Sequence, residues 1–232
     1  TMKLKKIASL ALAGVMAVSM LTACGGNTID EQPPVDNSGD NAVAGYSTEV
    51  YENLSAAAQS KISFSNSSEL NSALTKAMAY VASNDIANKY DENMYNKVMH
   101  VKQDTVDASM LNAAKSLIDT RKAENDTYMN VETAIEKLAP TIANQGEKTL
   151  NVDLLFVIDG GVKMSAVMDQ IADQIDAQIV KLELDNDNIT ASNESTLRYT
   201  YTGSVSADTI TLAGDHNKSA TFVAVEITRT LG

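Results

Sequence analysis

Residues 150–158 read LNVDLLFVI, and Asp159-Gly160-Gly161 follows at once. Apolar side chains fall on both phases of the alternation, so this stretch is expected to be a central strand covered on both faces and stopped by the Asp-Gly-Gly turn. Beyond the turn, Met164, Val167, Met168, Ile171, Ile175 and Ile179 recur at helical spacing and form the strongest helical stripe in the chain. After a polar stretch at 185–195, Leu197, Tyr199 and Tyr201 alternate with Arg198, Thr200 and Thr202, the pattern of a half-buried strand over 196–205. Residues 209–212 and 221–231 flank Gly214-Asp215-His216-Asn217 and read as a hairpin.

Upstream, apolar residues keep helical spacing from Tyr46 to about Asn144. Val50, Leu54, Ala58 and Ile62 make one stripe. Leu70, Leu74, Ala77, Met78 and Val81 make a second, entered through Asn66 with Glu69 three residues later, a capping-box pattern. Met110, Leu111, Ala114, Leu117 and Ile118 make a third, and Val131, Ile135, Leu138 and Ile142 a fourth after Asn130. Residues 91–104 read equally as helix or strand. The class is α+β: an amino-terminal helical layer followed by a small sheet in strand-helix-strand-strand-strand order. The body runs over 46–232, with a subdivision near 145–149 left open.

Ahead of the body lies a leader. Lys3, Lys5 and Lys6 precede an apolar run over 7–23, the n-region and h-region of a secretory signal. The run is short for a bilayer span and is diluted by Ser9, Gly14, Ser19 and Thr22. It ends in Leu21-Thr22-Ala23-Cys24-Gly25-Gly26, which resembles the lipobox of bacterial lipoproteins. That resemblance covers residues 2–24. It implies cleavage after Ala23 and diacylglyceryl transfer to Cys24, with the mature chain held by lipid on the extracytoplasmic side of the cell membrane. Two acyl chains on one residue hold firmly where one would exchange. Residues 24–45, rich in Gly and polar side chains and carrying Pro33-Pro34, have the composition of a flexible linker, about 25 Å in mean span.

Charge narrows the partners. The chain carries 30 acidic against 18 basic side chains, and without the leader 15 basic groups remain. A surface that neutralises phosphates needs clustered Lys and Arg, so a nucleic-acid partner is not expected. Cys24 is the only cysteine, which leaves out a disulfide framework within the chain and every multi-cysteine metal centre.

No catalytic set, metal site or cofactor motif is selected. A buried strand ending in Asp159 before a helix resembles the start of von Willebrand factor A domains, whose metal site reads Asp-x-Ser-x-Ser. Here Gly161 and Lys163 replace both serines, and an ammonium would repel the cation. A plain strand-to-helix turn is expected. Asp169, Asp173 and Asp176 share one helix face, the solvated side of an amphipathic helix. Asp185-Asn186-Asp187-Asn188 opens like a calcium loop, but Ile189, Thr190 and Thr196 stand where ligands and glycine belong, so a polar turn is expected. His100 and His216, the only histidines, sit in ordinary contexts, and no Gly-x-Ser-x-Gly elbow is present. Tyr199 and Tyr201 point the same way from one strand, with the core as their expected destination.

The function these readings favour is a non-catalytic one: a cell-surface lipoprotein whose body binds another protein or an envelope component. The small-molecule ligand, if there is one, is left unspecified. A solute-binding receptor of a transporter and an envelope hydrolase remain the alternatives.

Overall fold

The computed structural model describes residues 45–81, 96–103, 106, 108–187, 196–211 and 218–232. Helices α1 (Tyr46–Asn53) and α2 (Ala56–Gln59) lead into β1 (Ile62–Phe64) and α3 (Ser68–Met78). Then come β2 (Met99–His100), α4 (Ala108–Arg121) and α5 (Val131–Ile135), the last prolonged by a 3-10 turn at Glu136–Leu138. The carboxy-terminal half supplies β3 (Thr149–Asp159), α6 (Met164–Val180), β4 (Tyr199–Thr211) and β5 (Ser219–Leu231). None of the described helices is long and apolar enough to cross a membrane.

The strands form one mixed sheet in the order β1-β4-β5-β3-β2. β5 is central and antiparallel to both β3 and β4 along its length. β3 and β4 therefore run parallel to each other, with α6 as the crossover and β5 inserted between them. β1 joins β4 in parallel, and β2 joins β3 antiparallel.

Alternation along the strands gives the sheet two apolar faces. Leu154, Phe156 and Ile158 of β3 and Val223, Val225 and Ile227 of β5 pack with Val50, Ile135, Ile171 and Ile175. On the opposite face, Leu155, Val157, Phe222 and Ala224 pack with Leu70 and Leu74 of α3 and with Met110 and Leu117 of α4. Each fully buried side chain of this size contributes about 1.5–3 kcal/mol. The molecule is α+β, and helices cover both faces of its sheet. Both apolar clusters draw residues from before and after 145–149.

Several local expectations shift. The stripe Val50, Leu54, Ala58, Ile62 is buried throughout, but it threads α1, α2 and β1 in succession. Helix α3 is capped by Ser67, whose side chain accepts from the Leu70 amide at 3.1 Å, instead of Asn66, and Glu69 turns to Arg121. Asn130 does cap its helix, in a reciprocal box with Thr133. Ile142 lies outside that helix and is 82% exposed, because the backbone turns extended at Ala139 ahead of Pro140. In the stretch 91–104, residues 99–100 form β2, while 91–95 and 104 lie outside the described residues. The strand expected over 196–205 and the first arm of the hairpin are one continuous β4 through residues 206–208, with Ser206 buried.

Much of each sheet edge is closed by one of several devices. Along β3, β2 covers Phe156 and Val157, the Val101 amide donates to the Leu155 carbonyl at 2.7 Å, and the Glu124 amide donates to the Asn151 carbonyl at 2.9 Å. Between them, Asn125 replaces a strand residue: its Oδ1 accepts from the Asp153 amide at 2.9 Å and its Nδ2 donates to the Asp153 carbonyl at 2.8 Å. Along β4, β1 pairs with residues 201–203 and the Ser65 amide donates to the Gly203 carbonyl. The Ser47 hydroxyl then plugs Val205, accepting from its amide at 2.9 Å and donating to its carbonyl at 3.4 Å.

Candidate functional site

The positions singled out by sequence are dispersed, and most are engaged in structural bonds. Asp159 Oδ1 accepts from the Gly161 amide at 2.6 Å, closing the strand-to-helix turn. Within that turn the Gly160 amide donates to the Ser219 carbonyl at 2.8 Å, and a Cβ at Gly160 would overlap Ser219. On α6, Asp169 and Asp173 are exposed, whereas Asp176 accepts from the Ser55 amide at 2.7 Å at the start of α2. Asp185 pairs with Arg198 at 3.3 Å. Asn186 is buried, donating to Gln145 and accepting from the Leu197 amide, both at 2.7 Å. Cys24, His216 and residues 188–195 lie outside the described residues.

His100 sits on β2 with its ring centroid 5.3 Å from that of Phe156. Burial, helped by the charge of Lys102, lowers its pKa to about 4, so the imidazole is neutral at physiological pH. Tyr199 and Tyr201 direct their rings into the core and their hydroxyls to the carbonyls of Gln145 and Glu183, at 2.9 and 2.8 Å. Burial raises the pKa of both. Among the described residues, no cluster of three or more His, Cys, Asp and Glu is placed to hold a metal ion.

Two buried polar constellations were not anticipated. On the α3/α4 face, Asp153 of β3 stands opposite Glu226 of β5. Arg121, at the end of α4, reaches Glu226 Oε2 at 2.6 Å and Glu69 Oε2 at 3.1 Å. Burial opposes the charge on Arg121, but its bonds to Glu226 and Glu69 outweigh that and raise its pKa. Asp153 Oδ2 accepts from Asn151 Nδ2 at 3.0 Å, while among the described residues its buried Oδ1 has no hydrogen-bond partner. Burial and then the neighbouring Glu226 push the Asp153 pKa up to about 8, against the pull of Arg121 and the Asn151 bond. This carboxyl therefore keeps its proton at neutral pH. Asp153 is the one charged side chain inside the apolar 150–158 run, which was the signal available in the sequence.

On the other face, Arg229 is fully buried. Its Nη1 donates to the Leu138 carbonyl at 2.9 Å, its Nη2 to the Asn144 carbonyl at 2.6 Å, and the guanidinium lies 4.8 Å from the centroid of the Tyr199 ring. Its neighbours are thus carbonyl dipoles and an aromatic face, and among the described residues no carboxylate pairs with it. The arrangement pins the 138–145 loop to the sheet. Asp153, Glu226 and Arg229 are buried, while Arg121 and Glu69 carry the first constellation out to the surface.

Against protein-family models, curated proteins and solved structures alike, the chain has no match.

Proposed function

We propose that the chain is a cell-surface lipoprotein, anchored through Cys24 on the extracytoplasmic side of the cell membrane, whose body binds another protein or an envelope component without catalysis. The observation that carries this reading is Leu21-Thr22-Ala23-Cys24 placed directly after an apolar run headed by Lys3, Lys5 and Lys6. The body supports the non-catalytic part. Asp159, Asp176, Tyr199 and Tyr201, four of the side chains singled out by sequence, are engaged by backbone groups within the fold.

Mass spectrometry of the chain extracted from membranes tests the anchor. The expected amino-terminal peptide begins at diacylglyceryl-modified Cys24, and Cys24→Ala loses the modification. A free thiol at Cys24, or a retained leader, would overturn the anchoring. The binding role is tested by using the extracted chain to capture envelope proteins; retention of a small metabolite alone would overturn it.

A further inference from the structure

We propose that residues 207–211 of β4 form a docking edge for an extended segment of a partner protein bearing a basic side chain, which adds to the sheet as one more strand. The inference rests on the interaction role proposed above and names the surface and the chemistry of what it receives.

The edge follows from hydrogen-bond parity. Successive residues of a strand turn their amide and carbonyl to opposite neighbours. The bonds from Ser65 to Gly203 and from Ser47 to Val205 show that odd-numbered residues of β4 face away from β5. Ala207, Thr209 and Thr211 share that phase, and among the described residues nothing pairs with their outward amides and carbonyls. Elsewhere most of the outward groups are met, on β4 by Leu184, β1, Ser65 and Ser47 and on the middle of β3 by β2, Val101, Glu124 and Asn125. Neither Pro nor Lys guards the open length, though edges are commonly guarded that way.

Outward amides and carbonyls repeating at strand spacing are complementary to another extended main chain, which points to a polypeptide. Side chains then select it. Asp208 and Ile210 lie on the α3/α4 face, paired with Phe222 and Ala220. A strand added antiparallel sets one residue beside Asp208 and one beside Ile210, two positions apart, so a basic and an apolar residue fit there. A second copy fits less well. Paired about Thr209, two chains would place Ile210 of each beside Asp208 of the other and bring together two formal charges of -12.

The test is amide hydrogen exchange by NMR on the full chain, with the acetylated, amidated peptide Thr-Val-Thr-Lys-Thr and its Lys-to-Glu counterpart as probes. The lysine peptide is expected to slow exchange at Ala207, Thr209 and Thr211 by about tenfold or more, and the glutamate peptide to do so less. Thr211→Pro removes one outward amide at an exposed edge position and is expected to weaken the effect. Thr209→Pro does the same nearer the centre but also loses the 2.9 Å contact with Thr221, so Thr211→Pro is the variant that spares the fold. No slowing with the lysine peptide, equal slowing by both peptides, or unaltered binding by Thr211→Pro overturns the proposal. So does protection of the three amides without peptide in a chain that sediments as a dimer. Capture of the same envelope protein by wild type and Thr211→Pro would sink the edge alone; capture of no protein by either would sink the interaction role.

Discussion

Asp153 and Glu226 face each other across β3 and β5, both buried, with the Arg121 guanidinium bonded to Glu226. One cation near two carboxyls leaves one of them short of a counter-charge, and the one without an ion pair keeps its proton.

That asymmetry gives stability a pH dependence of known sign. Asp153 titrates near 3.8 as a free group and at about 8 in the folded protein. Between those values the folded state holds a proton that the unfolded state has released. Stability is therefore greatest below the lower value, falls by at most about 1.4 kcal/mol per pH unit, and levels off above the upper one. Asp153→Asn is expected to remove this slope. Urea midpoints for the two proteins from about pH 5 to about pH 9 check it, and parallel profiles would refute the assignment.

Arg229 sets a second expectation. Arg229→Met removes the donors to the carbonyls of Leu138 and Asn144 and the cation over Tyr199. The loss is expected to be about 3 kcal/mol, given one buried and one half-buried acceptor left unmet. Arg229→Lys recovers only part of it, because an ammonium lacks the planar fork that bridges two carbonyls beneath a ring. Thermal unfolding of the two variants measures both, and a lysine variant as stable as wild type would contradict the stated geometry.

Asn125 sets a third. Its amide satisfies both the amide and the carbonyl of Asp153, so Asn125→Ala uncovers two backbone groups and is expected to cost about 2 kcal/mol. Asn125→Asp is expected to cost more, since a carboxylate cannot donate to the Asp153 carbonyl and adds negative charge beside the Asp153–Glu226 pair. Exchange of the Asp153 amide, slow in wild type and fast in both variants, reports the effect locally.

Long periodic runs were the legible part of this fold. The 150–158 run and the Met164–Ile179 stripe became β3 and α6 because each is long enough to show its period and each meets a covering layer. β1 was read as the end of a helical stripe and β2 lay in a stretch that reads equally as helix or strand, because three and two residues do not carry an alternation. Asn66 and Ser67 are adjacent polar residues, and which of them caps α3 is decided by backbone geometry that residue type does not encode. The buried polar pairs were hidden in another way. Asp153 and Glu226 are 73 positions apart, and only the register of β3 on β5 makes them neighbours. Arg229 is buried because the 138–145 loop, which begins 91 positions earlier in the chain, folds over it, a contact that no local pattern encodes.

The order of the strands in space differs from their order along the chain. β5, which bonds to both β3 and β4, is the last of the described strands to leave a ribosome. Until it arrives, the two long strands that flank it have no common partner, and the apolar faces of α3, α4 and α6 lack the middle of the sheet to settle on. A nascent chain of this design is slow to commit to structure, and it stays threadable for as long as its final strand is missing. Were the chain exported through a narrow translocation channel, as the proposed anchoring through Cys24 requires, that delay would be an asset written into the topology.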